Sequence, residues 1–235
     1  MGTLFIVSTP IGNLQDITIR ALKVLFEVDS IACEDTRRTG LFLDKLLNEF
    51  ATNHEDKRKP HLISYYEQNE IQRIPEIITA LQNGLNVALI SDAGTPLISD
   101  PGFKLVRECI KFGIKVESIP GASSILTALT SSGLPTDKFF FTGYPPHKSG
   151  HRKTFYENIK KSQEFLNSTV ILFEAPHKLL TTLKEMESAF GDIEIVLCRE
   201  LTKIHEEIRR EKISESLNHF QKTTPKGEFV ILLHL

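Results

Sequence analysis

No run of this sequence stays apolar for the ~18 residues that a membrane-spanning helix needs. The N-terminus opens on a strand-like segment, Leu4-Phe5-Ile6-Val7, rather than on a basic leader with a small-residue cleavage site. Both absences point to the cytoplasm. Cysteine is scarce: Cys33, Cys109 and Cys198 sit singly inside apolar runs, without CxxC spacing or paired histidines, so they read as reduced core residues. Excess charge of one sign is missing too, because 28 Lys+Arg stand against 30 Asp+Glu for a net charge of −2. A polyanion would therefore have to be met by a local basic patch, not by the field of the whole molecule. The strand-G-x-G-x-x-G-helix fingerprint, the GxxxxGK[ST] phosphate loop, HExxH and the GxSxG elbow are all lacking. Their absence argues against a nucleotide hydrolase. His54, His61, His177 and His205 are scattered, and no metal is expected.

What is present is an ordinary globular composition, 40% hydrophobic and 25% charged over 235 residues, enough for one large or two small domains. Short β-branched runs alternate with helical patterns through the first half: Leu4 to Val7, Ile17 to Phe26, Ile31 to Cys33, Leu41 to Leu47, His61 to Ser64, Ile71 to Leu81, and Val87 to Ile90. This is a βα repeat and predicts a mostly parallel sheet. A helical stripe of Phe103, Val106 and Ile110 ends at Gly113, and a strand resumes at Lys115. After a helix from about Ser123 to Ser132, strands crowd more closely at Phe139 to Phe141, Val170 to Phe173, Ile195 to Leu197 and Phe229 to Leu232, which suits a mixed sheet. The expectation is an α/β protein of two domains, 1–118 and 119–235. The segments Asn53 to Lys59 and Pro145 to Lys153 read as charged loops, and Glu206 to Lys212 as a charged stretch.

In open α/β sheets ligands bind beyond the carboxyl ends of strands, so the breaks just after predicted strands carry the chemistry. Pro10 and Gly12 in Ser8-Thr9-Pro10-Ile11-Gly12-Asn13 force a turn that either lets backbone groups face a ligand or simply leads into a helix capped by Asn13 or Asp16. Ser91 to Gly102 packs two Pro, two Gly and two Asp into twelve residues, a density that demands a specific backbone path. Asp100-Pro101-Gly102 also suits the start of a helix. Pro120-Gly121-Ala122-Ser123-Ser124 places two hydroxyls at a helix start, where they cap it or face a ligand. Cys33-Glu34-Asp35-Thr36-Arg37-Arg38 clusters acids and bases at a strand end, either a surface ion-pair network or a functional group.

Together with Phe173-Glu174-Ala175-Pro176-His177, these motifs resemble, in order and from Leu4 to about Leu233, the bacterial family of ribosomal RNA small-subunit cytidine-2′-O-methyltransferases within the tetrapyrrole-methylase superfamily. The resemblance implies a class III fold of two α/β domains with S-adenosylmethionine held between them, and a homodimer. It places cofactor contacts on Pro10, Ile11, Gly12, Ala93, Gly94, Thr95, Ile98, Ser123, Ser124, Glu174 and Leu201. Thr9-Pro10-Ile11 stands where several relatives carry more glycine, and relatives commonly continue beyond the position of Leu235.

A ribose hydroxyl is weakly acidic, so a positioned acceptor would help methyl transfer. Strand-end placement makes Asp35 and Asp100 the candidates, with Glu34 behind them. RNA is read through phosphates, splayed bases and 2′-hydroxyls, for which Arg37, Arg38, Lys148, Arg152 and Lys153 supply charge and Tyr144 or Tyr65 a stacking surface. The alternatives at this point are a tetrapyrrole or other small-molecule methyltransferase of the same fold, and a non-catalytic RNA-binding ribosome-assembly protein.

Overall fold

The computed structural model describes residues 1–50 and 59–235. His54 and nearly all of the expected loop from Asn53 to Lys59 lie outside the described residues. The chain divides into two compact units, Met1–Ser123 and Ser124–Leu235, where the sequence reading placed the boundary after residue 118.

Unit 1 contains strands β1 (Thr3–Val7), β2 (Ser30–Cys33), β3 (His61–Ser64), β4 (Val87–Leu89) and β5 (Lys115–Ile119), and helices α1 (Ile19–Glu27), α2 (Thr36–Phe50), α3 (Glu70–Gln82) and α4 (Phe103–Lys111). The strands lie in the order β3-β2-β4-β1-β5, and every neighbouring pair is parallel, with Leu4 opposite both Val87 and Val116 and Ser30 opposite His61. A parallel sheet needs a covering layer on both faces, and the side chains alternate accordingly. Val7, Ile31, Cys33 and Ala88 pack with Leu25 of α1 and Leu46 of α2, while Leu4, Ile6, Ala32 and Leu89 pack with Ile77 of α3 and Leu105 of α4. Because right-handed crossovers put oppositely directed connections on opposite faces, β1 and β4 are adjacent strands whose chains leave in opposite directions. The crevice beyond their carboxyl ends is the place where such sheets bind ligands.

The expected helix from Phe103 exists with a different buried face. Leu105 and Cys109 are buried, whereas Phe103 and Ile110 are 62% and 66% exposed. Of the stripe read from the sequence only Val106 packs against the core, beside Leu105 and Cys109, which lie four apart at helical spacing one step round.

Unit 2 contains α5 (Ser124–Ser132), β6 (Phe139–Phe141), α6 (Ser149–Leu166), β7 (Thr169–Glu174), α7 (Leu179–Phe190), β8 (Glu194–Arg199), β9 (Glu207–Lys212), α8 (Ile213–Lys222) and β10 (Phe229–Leu233). Its sheet has the order β6-β7-β10-β8-β9. β6 runs parallel to β7 and the remaining neighbours are antiparallel, so the sheet is mixed, as expected. β10 lies in the middle with all five residues buried. Two segments differ from the expectation. Ser149 to Lys153 begin helix α6 instead of ending a loop. The charged stretch before Lys212 is the edge strand β9, whose Glu207, Arg209 and Glu211 point to one side and pair at 2.6 to 2.8 Å; charged side chains on an edge strand discourage pairing with another sheet.

Cys33, Cys109 and Cys198 are free and buried, and burial pushes the Cys109 and Cys198 thiols up to about 11 and about 12, which keeps them unreactive. No helix among the described residues is long and apolar enough to cross a membrane.

Candidate active site at the strand tips of the first unit

The tips of β1, β4 and β5 are sewn together by short polar contacts. Backbone Thr9 N–H donates to the Gly94 carbonyl at 2.8 Å and Gly94 N–H returns a bond to the Thr9 carbonyl at 3.1 Å, forming an isolated antiparallel bridge between two otherwise parallel strands. The hydroxyls of Ser8 and Thr95 lie 3.0 Å apart, and Thr95 Oγ1 donates on to the Ala122 carbonyl at 3.1 Å. Ser8 N–H donates to the Ile119 carbonyl at 3.2 Å. Three of the predicted breaks therefore form one surface.

Glycine is required here for two separate reasons. Gly94 has φ +79°, and a Cβ added to it would stand 3.2 Å from Ile11 Cγ2. Gly121 must let β5 approach β1, since its Cβ would fall 2.9 Å from Ser8 Cβ. The loop after β4 is also strained at non-glycine positions, Leu97 at φ +73° and Ser99 at +64°. Such conformations persist when the surroundings over-determine them, and they gather at ligand sites. The result is a surface where Gly12, Ala93, Ile98 and Gly121 are exposed beside fixed backbone groups and hydroxyls.

A second cluster joins the tips of β2 and β4. Asp35 accepts the backbone N–H groups of Arg37 and Arg38 at 2.8 and 3.1 Å, which fastens the start of α2 and holds its carboxyl below the usual range. Asp35 is thus the weakest base of the three expected candidates. Glu34 behaves in the opposite way: burial, and then the charge of Asp100, raise its proton affinity, with Asp92 acting both ways through its backbone N–H and its charge. Burial likewise raises Asp100, opposed by a hydrogen bond from Ser91 and reinforced by Asp92. Arg38 Nη1 reaches Asp92 Oδ2 at 2.7 Å, and Asp92 N–H lies 3.4 Å from Glu34 Oε1. Asp92 was not singled out in the sequence, although it sits in the loop that was. No group of His, Cys, Asp and Glu suited to a metal ion occurs among the described residues.

Other predicted residues fall elsewhere. Arg152 does not face RNA: its side chain is 5% exposed and donates to Glu185 at 2.6 Å, Thr182 at 2.6 Å, Tyr156 at 3.1 Å and the Pro146 carbonyl at 3.2 Å. The spacing Arg152, Tyr156, Ile159, Gln163, the buried face of α6, is the signal that could have shown this. Glu174 is buried beside it, accepting from Thr182 Oγ1 and, at 2.7 Å, from Ala175 N–H, so its carboxylate serves unit 2 itself. Tyr65 is fully buried and donates to Glu70 at 3.2 Å, which removes it as a stacking surface. Tyr144, Lys148 and Lys153 are exposed, with Tyr144 edge-on to Phe173 at 5.5 Å. Leu201 is buried between Glu200 and Thr202, both at positive φ.

The family is decided by sequence similarity over the whole chain. A protein of Thermotoga maritima named ribosomal RNA small subunit methyltransferase I is 45% identical over 233 residues, covering 99% of this chain and 98% of that protein. The chain belongs to this family. The Synechocystis member is 43% identical, with 99% of this chain matched to 79% of that protein, so some members of the methyltransferase I family carry additional sequence. The model for Tetrapyrrole (Corrin/Porphyrin) Methylases matches residues 3–216, so the chain belongs to that larger family as well. Solved structures agree on the fold: diphthine synthase, at 14% identity, gives a TM-score of 0.74 over 99% of this chain and 90% of that one. Uroporphyrin-III C-methyl transferase of Thermus thermophilus, complexed with S-adenyl homocysteine, gives 0.64 at 16% identity over 98% and 97%.

Proposed function

We propose that this protein is a cytoplasmic methyltransferase that uses S-adenosylmethionine to methylate the 2′-oxygen of a cytidine in small-subunit ribosomal RNA, acting as a homodimer. The observation that supports it most is the joined surface of the β1, β4 and β5 tips in a chain 45% identical, end to end, to a ribosomal RNA small subunit methyltransferase I.

The residues of unit 1 fit the cofactor by their chemistry. An adenosyl group and an amino-acid tail need a flat apolar contact, acceptors for ribose hydroxyls and an ammonium group, and no phosphate cradle. Pro10, Ile11, Gly12, Ala93, Gly94 and Ile98 supply the small and apolar contact, while Thr95, Ser123 and backbone groups supply the polar ones. When bound, S-adenosylmethionine brings a methyl group already activated by its sulfonium charge. The protein's part is to hold the acceptor oxygen in line, which is worth about 7–11 kcal/mol in favourable cases, and to take up its proton. Glu34, with Asp100 beside it, is the better proton acceptor, since burial moves both toward neutrality. Arg37, Arg38, Lys148 and Lys153 are assigned to RNA phosphates and Tyr144 to a base.

The decisive experiment supplies labelled S-adenosylmethionine and small ribosomal subunits from cells lacking the protein. Label at one cytidine, rendering the following phosphodiester resistant to alkali, is the expected result. Label on a base, or incorporation into a porphyrin-type acceptor with none into RNA, overturns the reading. Light scattering of the purified protein tests the dimer.

A further inference from the structure

The ion pair between Arg38 and Asp92 is placed oddly for a structural contact. Its arginine side chain is 73% exposed and its aspartate 36% exposed, and exposed pairs of this kind stabilise a fold little. Yet the pair closes over the acidic pair behind it. Asp92 is joined through its own N–H to Glu34 Oε1 at 3.4 Å, so the Arg38 guanidinium, the Asp92 carboxylate and the Glu34 carboxylate form a chain running from solvent inward. The charged groups that act on Glu34 are Asp100 and Asp92 from the loop after β4, while Asp35, Arg37 and Arg38, next to it in the chain, interact with one another and Arg38 with Asp92. The Cys33 thiol also feels these acids, but burial keeps it protonated.

We propose that Arg38 and Asp92 form a substrate-responsive latch: a phosphate of the incoming RNA draws Arg38 away from Asp92, and the exposed Asp92 charge then strengthens Glu34 as the acceptor of the ribose proton. This deepens the proposed function and rests on it. Arg38 is suited to the exchange because a guanidinium prefers bidentate pairing with phosphate or carboxylate and is the more exposed partner. Asp92 is suited to the relay because its loop is held by the strained Leu97 and Ser99 and by the bridge at Gly94. Freed of Arg38, it keeps its place beside Glu34 instead of following the guanidinium outward. The proton passes from the 2′-hydroxyl to a Glu34 carboxylate oxygen and then to water, and Asp92 is a positioning residue throughout. Before RNA arrives, the compensated Asp92 leaves Glu34 a weaker base.

The latch makes a distinctive kinetic signature. The acid limb of kcat/KM reports the free enzyme and that of kcat the RNA complex. In the wild type the kcat limb should lie at higher pH, by roughly one unit. In Arg38→Gln the Asp92 charge is uncovered in both states, so the two limbs coincide at the higher position and KM for RNA rises. In Asp92→Asn they coincide at the lower position and kcat falls severalfold, while calorimetric binding of S-adenosylmethionine stays as in the wild type. Glu34→Gln should abolish the limb altogether. Coincident limbs in the wild type, or a separation that survives in Asp92→Asn, would overturn the latch. Absence of any RNA methylation by the wild type would instead remove the function on which it rests, so the two failures are told apart.

Discussion

Thr9 and Gly94 exchange two backbone hydrogen bonds across the seam between β1 and β4, at 2.8 and 3.1 Å. This seam is where connections on opposite faces of the sheet diverge, and the bridge turns two loose strand ends into one fixed edge. Gly94→Ala should strain that edge, because φ +79° disfavours any side chain and Ile11 stands 3.2 Å from the new methyl. The expected loss is about 1–2 kcal/mol of stability, read by urea unfolding, together with at least about tenfold weaker S-adenosylmethionine binding by calorimetry. Unchanged affinity in a folded variant would remove the seam from the cofactor site.

Glu34 carries a stability signature of its own. Its folded proton affinity is raised by burial and by Asp100, so ionisation opposes folding. Above the unfolded value of about 4.3 the unfolded chain releases this proton first, and wild-type stability falls as pH rises toward the folded value. Glu34→Gln should therefore melt higher than wild type near neutral pH, with the difference vanishing below pH ~4, while methyl transfer is slowed and no longer shows an acid limb. Melting curves across pH 4 to 8 decide this.

Arg152→Met should unfold unit 2 far more than it affects RNA. Removing the cation leaves Glu174 and Glu185 short of a partner in a buried network, a change of about 3–5 kcal/mol when one member of a buried pair is removed. The salt dependence of RNA binding by the surviving folded fraction should match that of the wild type. A flatter salt slope would return Arg152 to the RNA surface.

Lys148 and Lys153 are exposed on the first turns of α6 and just before it. Replacing both by Gln should weaken RNA binding and lower the slope of log affinity against log salt by roughly 0.7 for each phosphate of single-stranded RNA that the variant no longer neutralises. Melting temperature should not move. An unaltered slope would show that α6 faces away from the substrate.

These contrasts mark what was legible beforehand. The parallel and mixed sheets followed from β-branched runs and their spacing, and the tips of β1, β4 and β5 from the Gly and Pro breaks after them. Fates of individual polar side chains were not legible, since Arg152 and Lys153 are neighbours in sequence yet one is buried and the other exposed, a matter of helical phase that a presumed loop hides. Strand β9 escaped for a related reason: an edge strand with Glu207, Arg209 and Glu211 on one side has a polar repeat where an apolar one is sought. The Arg38–Asp92 pair joins residues far apart in sequence, and only the order of strands brings β2 and β4 side by side.

That strand order also governs when the edge proposed to bind the cofactor can exist. β1 is made first, yet both of its neighbours, β4 and β5, come from the far end of unit 1. A nascent chain on the ribosome thus carries the turn after β1 unpaired until Gly94 has been made, and the edge is complete only once Ile119 has followed. Completion of this edge belongs to the last stage of assembly of the unit, and a ligand that bound only the finished edge would stabilise the whole folded unit by mass action.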